Sequence, residues 1–170
     1  MRIGDLLKWG VGISGWNVGQ DTTVFKFVNN GDTIKVGGLV CYESVFPTFP
    51  NYFVDRGAQF LTVLTNDSWY GKLSGPYQHK EFANLRAVEN RRAVVRCANG
   101  GVSCLINKFG VTEVETEMFT RTHLVVDVPL NNEKTFYTKN PSIIPVLSSA
   151  FGLWIFGINI LLWMKKKFKL

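Results

Sequence analysis

Ile34-Lys35-Val36-Gly37-Gly38-Leu39-Val40-Cys41-Tyr42-Glu43 is an apolar, partly β-branched run that stops on a thiol, with a carboxylate two residues further on. The run reads as a strand. A structural cysteine belongs inside such a run, whereas one at its C-terminal edge, where the chain turns toward Pro47 and Pro50, faces the crevice in which open α/β-type sheets hold their chemistry. Cys41 is therefore the first candidate for a reactive residue.

Working outward, residues 23–28 alternate apolar and polar, and Asn29-Asn30-Gly31-Asp32 is a turn signal, so a hairpin delivers Cys41. Residues 45–56 predict a helix after the prolines, and residues 60–65 a short buried strand ending in the polar and aromatic loop Asn66-Asp67-Ser68-Trp69-Tyr70-Gly71. A long helix is expected over residues 77–92, with Arg86, Glu89, Arg91 and Arg92 on a salt-bridged or solvated face. Strands at 94–98 and 102–106 flank Asn99-Gly100-Gly101, and further strands are expected at 111–117 and 124–128. Residues 1–19 read as a loop or short helix entering the domain. The sum is an α+β sandwich layer.

The chain has 170 residues, 46% of them hydrophobic, enough for one domain and an apolar appendage. Residues 143–164 contain no charge and precede Lys165, Lys166, Lys167 and Lys169, the pattern of a transmembrane helix with a basic cytoplasmic tail. The expected organisation is a domain over 1–130, a linker over 131–142, the span and the tail at 165–170. The net charge of +6 owes four positive charges to that tail, where they serve anionic lipid. No basic stripe with interleaved aromatics points to nucleic acid. A cytoplasmic tail puts the preceding domain across the membrane, yet residues 1–19 carry no apolar stretch for export. Either the domain is cytoplasmic and the lysine rule is broken, or, the favoured reading, the chain is the C-terminal piece of a longer protein whose earlier membrane segments supply the export.

A thiol nucleophile needs its thiolate stabilised and needs donors for the oxyanion it creates. The backbone N–H of Tyr42, immediately after Cys41, is placed to be one such donor. Glu43 is open to three readings: a base, a contact for a polar substrate, or the partner of a lysine. His79 either pairs with Cys41, caps the helix it opens, or contacts substrate. His123 reads as a surface residue, and Asn66 and Asp67 as turn formers. Trp69 and Tyr70 either plug the domain's edge or meet an acyl chain or lipid headgroup. Cys41, Cys97 and Cys104 have no second histidine nearby, so no metal is expected, nor any cofactor. If Gly100-Gly101 form a two-residue turn, Cys97 and Cys104 face each other at a hydrogen-bonded pair, where two buried thiols are favoured over a disulfide.

Five blocks carry a family resemblance: Gly38-Leu39-Val40-Cys41-Tyr42-Glu43, Leu64-Thr65-Asn66-Asp67-Ser68-Trp69-Tyr70-Gly71, Gly75-Pro76-Tyr77-Gln78-His79, Arg86-Ala87-Val88-Glu89-Asn90-Arg91-Arg92, and Arg96-Cys97-Ala98-Asn99-Gly100-Gly101-Val102-Ser103. In order and spacing they resemble the C-terminal half of the nitrilase-type domain of the apolipoprotein N-acyltransferases. The resemblance implies a partial nitrilase-like αββα sandwich followed by one transmembrane helix in a bacterial inner membrane, with the catalytic domain periplasmic. It implies transfer of an acyl chain from a phospholipid donor, through a thioester on Cys41, to the N-terminal amine of a diacylglyceryl-cysteine lipoprotein. Cys41 would be the nucleophile, Tyr42 and Glu43 supporting neighbours, and Trp69, Tyr70 and His79 substrate contacts. The family's glutamate base and lysine precede the cysteine and have no counterpart here, so this chain alone is expected to be inactive. The alternatives are a membrane-tethered amidase of the wider nitrilase class and a non-catalytic truncated fragment.

Overall fold

The structure is a computed structural model and describes residues 22–168. The expectation for residues 1–19 lies outside the described residues. Six strands form one mixed sheet in the order β1-β2-β3-β4-β5-β6, with β1 at Val24–Asn29, β2 at Asp32–Val40, β3 at Phe60–Asn66, β4 at Val94–Asn99, β5 at Cys104–Ile106 and β6 at Thr112–Glu115. The three central strands, β2, β3 and β4, run parallel, and the flanking pairs are antiparallel. Asn30 and Gly31, both at positive φ, make the tight turn that closes the first hairpin.

Parallel neighbours require crossovers, and both carry a helix. Between β2 and β3 the chain makes a 3-10 turn at Cys41–Val45 and then helix α1 at Phe49–Asp55. The single helix expected over 45–56 is thus divided: Phe46, held extended before Pro47, ends the 3-10 turn, and Pro50 sits in the opening turn of α1. Between β3 and β4 lies α2, Gly75–Asn90, likewise opened by a proline.

Both helices pack on one face of the sheet. Leu39, Leu61, Val63 and Val94 point from the strands into Phe53, Val54, Ala83 and Ala87. The strand alternation sends Val36, Phe60 and Leu105 to the other face, where Val126 and Val128 cover part of them. The remainder of that face is open: Phe25, Val40 and Leu64 are each more than half exposed. Residues 124–128 are thus a packing strap and not the expected strand, since their alternation serves side-chain burial without ladder pairing.

Two further expectations are corrected. The β4–β5 ladder lies one residue away from the register a two-residue turn at Gly100-Gly101 would set, so Cys104 pairs with Arg96 and lies on the opposite face from Cys97. Both thiols are free; Cys104 is buried, but Cys97 is exposed. Burial pushes the Cys104 thiol up to about 11. Arg92, read as part of a solvated or salt-bridged face, is instead 1% exposed and bonds the carbonyls of Ala58 and Glu133. Arg86 does pair with Glu89.

Residues 131–142 hold the short helix α3, Phe136–Lys139, and are packed onto the domain. Thr135 donates to the Glu89 carbonyl and Thr138 to Asn90 Oδ1, tying this stretch to the end of α2. The last helix, α4, runs Ile143–Phe168. It is long and apolar enough to cross a membrane, and none of its apolar stretch is buried against the domain.

Candidate functional site

Cys41 begins the 3-10 turn directly after β2 and takes a left-handed φ of 51°, which a residue with a Cβ adopts only at a cost. Two side chains of the same turn hold it there. Glu43 Oε2 accepts from the Val40 N–H at 2.7 Å, and Ser44 Oγ donates to the Cys41 carbonyl at 2.9 Å. Glu43 therefore braces the strand end that carries the thiol. Cys41 itself is half-buried, and Tyr42 beside it is exposed.

The loop after β3 comes to the same place because the strands are parallel neighbours, which puts their C-terminal ends side by side. The Tyr42 and Tyr70 hydroxyls lie 2.6 Å apart, and the Tyr42 ring stacks on His79 with centroids 5.2 Å apart. Partial burial and the bond to Tyr42 raise the Tyr70 phenol well above its usual range. A Cβ on Gly75 would stand 2.7 Å from the Tyr70 ring, so glycine there lets the loop fold back onto α2. Trp69 packs against Tyr70 and remains 65% exposed. A small cavity of about 70 Å³ lies among Tyr42, Tyr70, Gly75 and His79. A larger hollow, about 750 Å³, opens beside Cys97, Asn99, Phe119 and His123 and does not include Cys41.

His79, one of whose expected roles was to contact substrate, is 3% exposed beneath the Tyr42 ring. Its Nδ1 lies 3.0 Å from Asp67 Oδ1, and its Nε2 lies 3.2 Å from both the Cys41 carbonyl oxygen and Ser44 Oγ. Asp67, expected as a turn former, does receive the Tyr70 N–H on its carbonyl, yet its side chain is fully buried. It forms an ion pair with Arg96, which also donates to the Val102 carbonyl. Burial alone would raise the Asp67 carboxyl, but the bond from His79 and the charge of Arg96 outweigh it and hold the group below the usual carboxylate value.

Sequence reasoning missed both Asp67 and Arg96. A signal existed in Arg96, which occupies an inward position of an otherwise apolar strand and so requires a buried acceptor. A second existed in Gly100-Gly101: a Cβ on Gly101 would stand 2.6 Å from Asp67 Oδ2, so the small residues mark a close approach to that carboxylate. Among the described residues, no group of three or more His, Cys, Asp or Glu side chains could hold a metal ion.

The mixed sheet with a cysteine at the tip of its first parallel strand shares its fold with a solved member of the nitrilase superfamily. The structure of Saccharomyces cerevisiae Nit3, a member of branch 10 of that superfamily, matches 60% of this chain and 39% of its own with a TM-score of 0.50 at 20% identity, which shows the shared fold. The carbon-nitrogen hydrolase family model matches residues 14–140, and the chain belongs to that family. Within it, the chain is similar to curated apolipoprotein N-acyltransferases. It is 45% identical to that of Chlorobaculum tepidum over 79% of this chain and 25% of the relative, and 33% identical to apolipoprotein N-acyltransferase 2 of Treponema denticola over 85% and 28%. The chain thus spans about a quarter of the length of these relatives.

Proposed function

We propose that this chain is part of an N-acyltransferase that moves a phospholipid acyl chain through a thioester on Cys41 to the N-terminal amine of a diacylglyceryl-cysteine lipoprotein. The observation that carries the reading is the strained Cys41 at the tip of β2, in a chain 45% identical to a curated apolipoprotein N-acyltransferase. The thiolate attacks the ester carbonyl, a C–S bond forms, and the C–O bond breaks as the lysophospholipid alcohol leaves with a proton. The acceptor amine then attacks the thioester and gives its proton to the base implied ahead of Cys41, the C–S bond breaks, and the sulfur leaves as thiolate while an amide forms. Tyr42 supplies a backbone N–H to the oxyanion, Glu43 holds the turn, and Trp69 and Tyr70 meet the lipid. His79 lies behind this surface and acts on the nucleophile's backbone.

The open sheet face over Phe25, Val40 and Leu64 is where the other half of an αββα sandwich would pack, and the base and lysine implied ahead of Cys41 come with that half. In this reading α4 anchors the domain in the bacterial inner membrane, domain periplasmic and lysines cytoplasmic.

The test uses the complete protein in vesicles containing phospholipid with a labelled acyl chain. Label should become attached to the protein in a hydroxylamine-labile form and move to an amine acceptor peptide. In Cys41→Ala no label should attach; label that persists on the variant rules out this sulfur, and discharge to water in preference to the amine would replace the reading with an amidase.

A further inference from the structure

Two buried side chains, Ser44 and His79, reach the Cys41 carbonyl, and two more, Asp67 and Arg96, stand behind His79. Ser44 Oγ donates to that oxygen at 2.9 Å, and His79 Nε2 lies 3.2 Å from it. Asp67 holds the far nitrogen of the ring, and Arg96 holds Asp67. A proton on Nε2 lets the ring donate to the Cys41 carbonyl, while Nδ1 faces Asp67 Oδ1 and, at 3.3 Å, Arg96 Nη2. All four side chains are buried. Apolar residues of similar volume commonly serve a fold as well as a buried ionic cluster, so a cluster at this point calls for a role beyond packing.

Peptide geometry supplies that role. The Cys41–Tyr42 peptide is trans, so its C=O and N–H point in opposite directions. Anchoring the carbonyl on Ser44 and His79 turns the Tyr42 N–H away from the buried cluster. As the second residue of the turn, Tyr42 also lies among the N–H groups for which a helical turn offers no carbonyl. The same anchor holds the left-handed φ of Cys41, which costs roughly 1–2 kcal/mol for a residue bearing a Cβ.

We propose that Ser44 and His79, braced by Asp67 and Arg96, are positioning residues that clamp the Cys41 carbonyl and so aim the Tyr42 N–H at the carbonyl oxygen of the acyl donor. The inference rests on the reading of Cys41 as the acyl-accepting nucleophile. As the C–S bond forms, the carbonyl electron pair moves onto oxygen and meets the Tyr42 N–H; it returns when the C–O bond breaks and the alcohol leaves. Ser44 and His79 touch neither donor nor acceptor.

Two reactions of one sulfur separate this role from others. Alkylation by iodoacetamide needs the thiolate but develops no oxyanion, whereas acylation by p-nitrophenyl butyrate needs both. Loss of one oxyanion donor costs about 10²–10³ in rate, so in the complete protein Ser44→Ala and His79→Ala should slow Cys41 acylation at least about tenfold while alkylation stays within about twofold. His79→Gln, whose amide nitrogen can sit where Nε2 sits, should recover most of the acylation rate. Should His79→Ala fail to fold, Ser44→Ala and His79→Gln decide the matter. A parallel fall in both rates, or full acylation in a folded His79→Ala or Ser44→Ala protein, overturns the clamp. Acylation by the nitrophenyl ester but not by labelled phospholipid refutes the donor class and leaves the clamp standing; a wild-type Cys41 acylated by neither refutes both.

Discussion

Asp67 shows how one carboxylate ties the fold to its chemistry. Its folded form titrates below the usual carboxylate value, so as pH falls the unfolded chain takes up this proton first. The stabilisation is therefore present above the ordinary carboxylate range and is lost as pH drops beneath it. Urea denaturation of the complete protein at about pH 7 and about pH 3 should show a smaller loss on acidification in Asp67→Asn than in wild type. At neutral pH, Asp67→Ala should cost about 3–5 kcal/mol, because it leaves the fully buried Arg96 uncompensated. Equal acid sensitivity in wild type and Asp67→Asn would mean the carboxylate is not held low. Cys41 was legible in the sequence because its signal is local, a thiol closing an apolar run. The roles of Asp67 and Arg96 were not, since residues 29 apart in sequence meet only after β3 and β4 pair, and Asn-Asp-Ser by itself reads as a turn.

At the scale of elements, Gly37 sets how closely α1 lies on the sheet. A Cβ there would stand 2.7 Å from both Phe53 Cβ, which is tied to its backbone, and Leu61 Cδ2, whose side chain is fully buried. Gly37→Ala should therefore destabilise the complete protein by roughly 1–3 kcal/mol in a denaturant titration; an unchanged midpoint would show that α1 can retreat without loss. The hairpin of β1 and β2 was readable because Asn30-Gly31 dictates its own turn. The divided helix after Cys41 depended on two prolines acting within a few residues of each other. The β4–β5 register lies one residue away from the one Gly100-Gly101 alone would suggest, and a one-residue slip moves a side chain to the opposite face, which is why Cys97 and Cys104 part company. Residues 124–128 carry the alternation of a strand, and nothing local distinguishes a strand from a strap laid across one.

The whole molecule joins a sheet-and-helix domain to α4, whose side chains find no burial among the described residues. In the proposed orientation the lysines at its end face the cytoplasm. A tag appended to the C-terminus of the complete protein should resist protease added to spheroplasts and be digested in inside-out vesicles; digestion in spheroplasts would reverse the assignment. The site itself is distributed: Cys41 follows β2, Asp67 follows β3, and the glycines that admit Asp67 follow β4. No two of these strands contain it. On the proposed clamp, a thiol emerging on an unfinished sheet would lack its braced backbone and would not yet capture acyl chains. In that reading the third central strand acts as a safety catch on the chemistry.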